Sequence, residues 1–173
     1  SVVRTVIRRA LKSLRSHGAK IDRDAWLTEA EAAEKAGSPL TCQAIVAEVA
    51  AEGIAEADRK RQWTEDAEGA LSRGCIAFAR AAYGCAIEAL PKKKSLWLGL
   101  AHLEKQHGNR ETLEEVLVRA VEQCPKAEVL WLMRAKEKWQ SWGDVSAARG
   151  VLQEAFAANP DSESIWLAAV KLE

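Results

Sequence analysis

Residues 91–125 read PKKKSLWLGLAHLEKQHGNRETLEEVLVRAVEQCP. Leu96, Trp97, Leu100 and Leu103 recur at helical steps, and after Gly108 so do Leu113, Val116, Leu117, Ala120 and Val121. Such spacing gathers apolar side chains on one face of a helix. Pro91 and Pro125 bound the stretch, because proline stops a helix interior yet suits the first turn of the next helix. The segment therefore reads as two helices joined by a short turn, each with one side to bury.

The same pattern continues outward. Val129, Leu130, Trp131 and Met133 are followed by Val151, Leu152, Ala155 and Phe156. Trp26, Trp63, Trp97, Trp131 and Trp166 stand 37, 34, 34 and 35 residues apart. Pro91, Pro125 and Pro160 each precede a tryptophan by six residues, and Ala86, Ala120 and Ala155 each precede a proline by five. A period in the mid-thirties is the signature of stacked helical hairpins. Each part has a structural use. The tryptophan fills the wedge between helices and removes roughly 150–250 Å² from water. The alanine lets two helices approach, and the proline ends one hairpin and opens the next.

Helices are expected near 2–16, 22–36, 39–53, 57–72, 75–90, 93–107, 110–124, 127–141, 145–158 and 161–173. Gly18, Gly37, Gly53, Gly74, Gly108 and Gly143 fall at or beside their ends, where a left-handed residue can cap a helix. Short connections imply antiparallel neighbours. The expected architecture is all-α, a right-handed superhelical solenoid of antiparallel helix pairs forming one array over residues 1–173. Units fall near 22–55, 57–91, 92–125 and 126–160, with half-units at 1–16 and 161–173. The first unit is looser, with Gly53 rather than a proline before Trp63. Val2, Val3, Val6, Ile7, Val170 and Leu172 do not resemble the polar outer face of a capping repeat, so the chain reads as a piece of a longer solenoid.

Composition narrows the function. Hydrophobic residues make up 48% of the chain, enough for a packed core, and seven of its ten aromatics are Trp. Net charge is zero, which gives no general signal for nucleic acid. Residues 1–20 nevertheless carry Arg4, Arg8, Arg9, Lys12, Arg15 and Lys20 with no acid, and the remainder has 19 bases against 25 acids. This basic end reads first as the solvated face of a helix. Arg4, Arg8, Lys12 and Arg15 also form one stripe that could meet RNA phosphates, although no aromatic interleaves it for base stacking. Cys42, Cys75, Cys85 and Cys124 lie in apolar helical stretches without a CxxC pair, which suggests buried free thiols in a reducing compartment. No run reaches the ~18 apolar residues of a membrane span.

Sites of chemistry are hard to assemble. His102 and His107 are five apart, whereas a helical metal pair prefers four, and no metal or cofactor is expected. Glu65, Asp66 and Glu68 follow Trp63 in a helix's early turns, where acids favour the dipole. Lys92, Lys93 and Lys94 read as a solvated helix start. Trp139 and Trp142 fall off the tryptophan beat and are the better place to look for a partner.

Trp97 with Glu104, and Trp166 with Glu173, resemble the half-a-TPR, or HAT, repeat, as does the Pro-x5-Trp link. Asp58–Ala67 (DRKRQWTEDA), Lys94–Leu98 (KSLWL), Cys124–Met133 (CPKAEVLWLM) and Asn159–Glu173 (NPDSESIWLAAVKLE) resemble the pre-mRNA-processing factor six family of the spliceosome. The likeness runs from about Asp22 to the end and departs from the usual pattern around Trp139-Gln-Ser-Trp142-Gly143. It implies a nuclear, non-catalytic scaffold that bridges proteins of small nuclear ribonucleoprotein particles in the tri-snRNP. The partners would be other tri-snRNP proteins, with no membrane. The alternative is an RNA-contacting or self-associating HAT-repeat protein in another RNA-processing complex.

Overall fold

The computed structural model describes residues 2–172, and these are all-helical. Ten helices follow one another: α1 (Val2–Ser16), α2 (Arg23–Lys35), α3 (Pro39–Val49), α4 (Glu56–Ser72), α5 (Ile76–Ala89), α6 (Lys94–His107), α7 (Arg110–Gln123), α8 (Glu128–Gln140), α9 (Val145–Ala158) and α10 (Glu163–Leu172). They fall into two compact units, Ser1–Leu90 and Pro91–Glu173. The expected helices lie within a few residues of these. The helical-repeat class read from the period is the one observed.

In the first unit α2 packs on α3 and α4 on α5, while α3 also meets α1 and α5. Its core is formed by side chains such as Leu11, Ala30, Val46, Val49, Trp63, Phe78 and Ala82. In the second unit each helix packs on the next from α6 to α10, and α8 also meets α10. Leu96, Trp97, Leu103, Leu117, Leu130, Leu152 and Ile165 fill that core. These are the residues of the helical-period rows. Most side chains that set the pattern are thus removed from water, each buried Leu or Ile contributing about 1.5–3 kcal/mol, while Val129 and Phe156 of the rows stay exposed.

Local chemistry explains the ends. Asp22, Asn109 and Asp144 accept the backbone N–H of Ala25, Thr112 and Ala147 and so cap α2, α7 and α9. Gly37 and Gly74, at positive φ, turn the chain out of α2 and α4. Gly108 differs from this expectation, with φ −97°. It is needed for space instead: a Cβ there would lie 2.1 Å from Glu104 Oε2 and 2.8 Å from the Glu104 carbonyl oxygen. Helix α3 stops at Val49, earlier than the expected 53. The Ala50 carbonyl accepts from Arg23 Nε at 3.1 Å and from Trp63 Nε1 at 2.7 Å, so it is not left to extend the helix.

Candidate protein-binding surface

The tryptophan–proline beat is a hydrogen bond. Trp97 Nε1 donates to the Pro91 carbonyl at 2.7 Å, and Trp131 Nε1 donates to the Pro125 carbonyl at 2.9 Å. Six residues is the separation at which a helix's first-turn indole reaches back to the carbonyl that precedes the helix. Trp63 makes the same kind of bond to Ala50, thirteen residues back, because the link before α4 is longer and lacks proline.

The alanines stand at the other side of the proline. Ala86, Ala120 and Ala155 are fully buried. Their carbonyls accept the N–H of Leu90, Cys124 and Asn159, the last residues before the three prolines. All three cap residues share one non-helical backbone conformation, with φ between −126° and −137° and ψ between 61° and 71°. A following proline disfavours the helical region for the residue before it, so each helix ends at the same point.

A lateral link repeats as well. Cys124 Sγ lies 3.7 Å from the Pro91 carbonyl oxygen, and Asn159 Nδ2 donates to the Pro125 carbonyl at 2.8 Å. The residue before one proline therefore touches the carbonyl of the proline one repeat earlier. Sequence spacing contained this signal, since positions 124 and 159 are equivalent in the repeat.

Trp166 departs from the beat. Its ring is 53% exposed and meets Phe156 edge-on at 4.6 Å. Trp26 is half-buried. The expectation that every tryptophan of the beat faces the interior therefore holds for Trp63, Trp97 and Trp131 but not for Trp166. Pro125 and Pro160 are exposed and Pro91 is half-buried, as befits residues in turns. Glu104, by contrast, is only 5% exposed and accepts from Thr112 Oγ1 at 3.0 Å. Glu173 lies outside the described residues.

The basic stripe folds against acids of α3. Arg8 grips Glu48 with two nitrogens, at 2.8 and 3.1 Å, and Arg4 Nε reaches the same carboxylate at 2.6 Å. Arg15 pairs with Glu52. Lys12 is exposed. The Arg8 hydrogen bond, with that of Arg4 and the charge of both, outweighs burial and holds the Glu48 carboxyl below the usual carboxylate range.

Trp142, 38% exposed, is held between cations: Lys138 Nζ lies 4.2 Å and the Arg110 guanidinium 4.9 Å from its ring centroid. It ties the α8–α9 turn to the start of α7. Trp139, 43% exposed, borders a groove of about 310 Å³ between α8, α9 and α10. Ala135, Ala148 and Leu152 are buried along that groove, while Lys136 and Lys171 stand exposed beside it.

The tetratricopeptide repeat family matches residues 94–137, which take in α6, α7 and most of α8. Pre-mRNA-processing factor 6 of Homo sapiens is 54% identical over 101 residues, 58% of this chain and 11% of that protein. Pre-mRNA-splicing factor prp1 of Schizosaccharomyces pombe is 41% identical over 124 residues, 72% of this chain and 14% of that protein. Protein STABILIZED1 of Arabidopsis thaliana is 53% identical over 61 residues, 35% of this chain and 6% of that protein. The chain is a HAT/TPR-type repeat protein resembling pre-mRNA-processing factor 6. It spans only a small share of the relatives it matches.

In this HAT/TPR-type chain the nucleophilic groups are muted. Burial, then the charge of Glu34, pushes the Cys42 thiol up to about 12, and burial with Glu88 pushes Cys85 up to about 11. Burial raises Cys75 and Cys124 too. All four are protonated at neutral pH, and the thiol is the unreactive form. His102 and His107 are exposed on α6. Among the described residues no group of three His, Cys, Asp or Glu side chains could hold a metal ion, and no helix is long and apolar enough to cross a membrane.

The acids after Trp63 lie well inside α4 rather than in a helix's early turns: Asp66 joins Arg23 in an ion pair linking α4 to α2, while Glu65 and Glu68 are exposed. Sequence reasoning missed Glu34, whose carboxylate accepts the backbone N–H groups of Ala77 and Phe78 at 2.7 and 2.9 Å. It lies eight residues after Trp26, near the position of the glutamate that follows Trp97, and that offset was the available signal.

Proposed function

We propose that the chain is a non-catalytic scaffold segment of pre-mRNA splicing, acting in the nucleus. It bridges protein components of small nuclear ribonucleoprotein particles in the tri-snRNP, and its partners are other splicing proteins. The observation that carries this reading is the likeness to pre-mRNA-processing factor 6, 54% identical over 101 residues. The repeat units near 22–55, 57–91, 92–125 and 126–160 supply the frame.

The chemistry of the chain favours holding over catalysis. Polar groups around the tryptophan beat are engaged in helix ends and inter-helix links: Trp97 with Pro91, Asn159 with Pro125, Glu34 with the start of α5. The thiols are held protonated by burial. Three guanidiniums of the basic stripe meet Glu48 and Glu52, which offsets the charge that RNA phosphates would need. Protein contact is therefore favoured over RNA contact.

Retrieval of the tagged chain from nuclear extract tests this reading, with and without ribonuclease. Splicing proteins are expected in both samples. Recovery that disappears with ribonuclease would transfer the role to RNA, and recovery of no splicing protein would refute the assignment.

A further inference from the structure

We propose that the groove beside Trp139 is a docking site for an acidic, leucine-bearing segment of a partner protein. This rests on the reading of the chain as a protein-binding frame. The site is distinct from the tryptophan ladder. Leu132, Ala135, Lys136 and Trp139 follow one another at helical steps along α8 and so share one face. Gln140 at the end of α8, Ala148 and Leu152 of α9, and Ala168, Lys171 and Leu172 of α10 complete the lining.

Two properties identify the occupant. The lining is mostly aliphatic, and an aliphatic trough of about 310 Å³ suits one or two leucine-sized side chains. Its charged members are Lys136 and Lys171, with no acid among the lining residues. A segment bearing apolar anchors flanked by carboxylates meets both conditions at once. Trp139 adds a broad ring that can close over the anchor at low cost in conformational entropy, as aromatic anchors do at protein interfaces. Trp142 has its ring between Lys138 and Arg110, and Trp166 rests on Phe156. Trp139 has neither arrangement, which sets it apart as the tryptophan placed for a partner. An RNA strand is less well matched, because aliphatic walls offer its bases no hydrogen-bond partners and Trp139 is the one aromatic ring in the lining on which a base could stack.

The test uses three fluorescein-labelled probes titrated into the whole chain: a synthetic peptide of two central leucines between runs of glutamate, the same peptide with lysine for glutamate, and a short oligouridine. The acidic peptide is expected to bind saturably and to weaken as salt rises. Trp139→Ala and, separately, the double variant Lys136→Glu with Lys171→Glu should each weaken it by about tenfold or more. All three side chains are exposed, and thermal melts confirm that each variant folds; if one melts early, the other decides. No saturable binding, equal affinity in both variants, or tighter binding of the lysine peptide or oligouridine would overturn the proposal. If splicing proteins are still retrieved from nuclear extract in that event, only the groove assignment falls; if they are not, the scaffold reading falls with it.

Discussion

Trp97 donates its indole N–H to the carbonyl oxygen of Pro91, 2.7 Å away and six residues back along the chain. Trp131 does the same to Pro125. The proline ends one helix pair, leaves its carbonyl outside any helix, and the next tryptophan satisfies it from below the following helix. Packing of the ring and satisfaction of the carbonyl are thus two jobs of one side chain. They are separable by substitution.

Trp97→Phe keeps an aromatic ring and removes the donor. The Pro91 carbonyl then loses its indole partner, and unfolding free energy should fall by about 1–2 kcal/mol. Trp97→Ala removes the ring as well and should cost about 3–5 kcal/mol. Urea unfolding of both variants checks the order. Equal losses for Phe and Ala would show that the hydrogen bond contributes nothing.

Two glycines should respond in opposite directions to the same change. At Gly108 a Cβ would sit 2.1 Å from Glu104 Oε2 and 2.7 Å from Thr112 Oγ1, so Gly108→Ala should destabilise by about 1–3 kcal/mol. At Gly150, inside α9, a Cβ meets nothing within 4 Å, and Gly150→Ala should stabilise by about 0.5–1 kcal/mol. Thermal melts of the pair read out the sign. A Gly108→Ala protein as stable as wild type would mean that the α6–α7 turn is looser than described.

Acid should loosen the contact between α1 and α3. The Glu48 carboxyl is depressed when folded by its hydrogen bonds with Arg8 and Arg4. The unfolded chain therefore binds the proton more readily. The stabilisation from Glu48 is fully present above the ordinary carboxylate value, near pH 4.3, and is lost as pH falls through the lower folded value. Glu48→Gln should be less stable than wild type at about pH 7, and the gap should narrow below about pH 4. Chemical unfolding across that range checks it. A gap that is constant with pH would remove the ion pair as its cause.

The two off-beat tryptophans should separate cleanly. Trp142→Ala forfeits contacts with Lys138 and Arg110, at about 0.5–1 kcal/mol each for exposed cation–π pairs. Its melting temperature should fall. Trp139→Ala truncates a half-exposed side chain at the edge of a groove and should leave the melt close to wild type. A larger loss for Trp139 than for Trp142 would reverse the two assignments.

The helices were legible because their signals are local. Leucine and alanine rows have a period of three to four residues, glycines stand at or beside the helix ends, and each proline acts on the residue before it. The repeat was legible because Trp97, Trp131 and their prolines are bound to one another within six residues. What escaped involves partners far apart in the chain. Arg4 and Arg8 meet Glu48 forty or more residues later, with separations of 44 and 40. Their stripe looked like a free cationic face because the acid that faces it lies on another helix. Arg23 and Trp63 converge on one carbonyl, Ala50, and so shorten α3. The Arg110 guanidinium beside Trp142 comes from another helix, α7. Such pairings depend on how helices register, and periodicity alone does not encode that.

The most direct measurement of the central claim is cross-linking mass spectrometry of this segment in nuclear extract. The scaffold account predicts cross-links from its surface lysines to proteins of the splicing machinery, including links from Lys136 or Lys171 beside Trp139. Cross-links confined to proteins outside that machinery would contradict it.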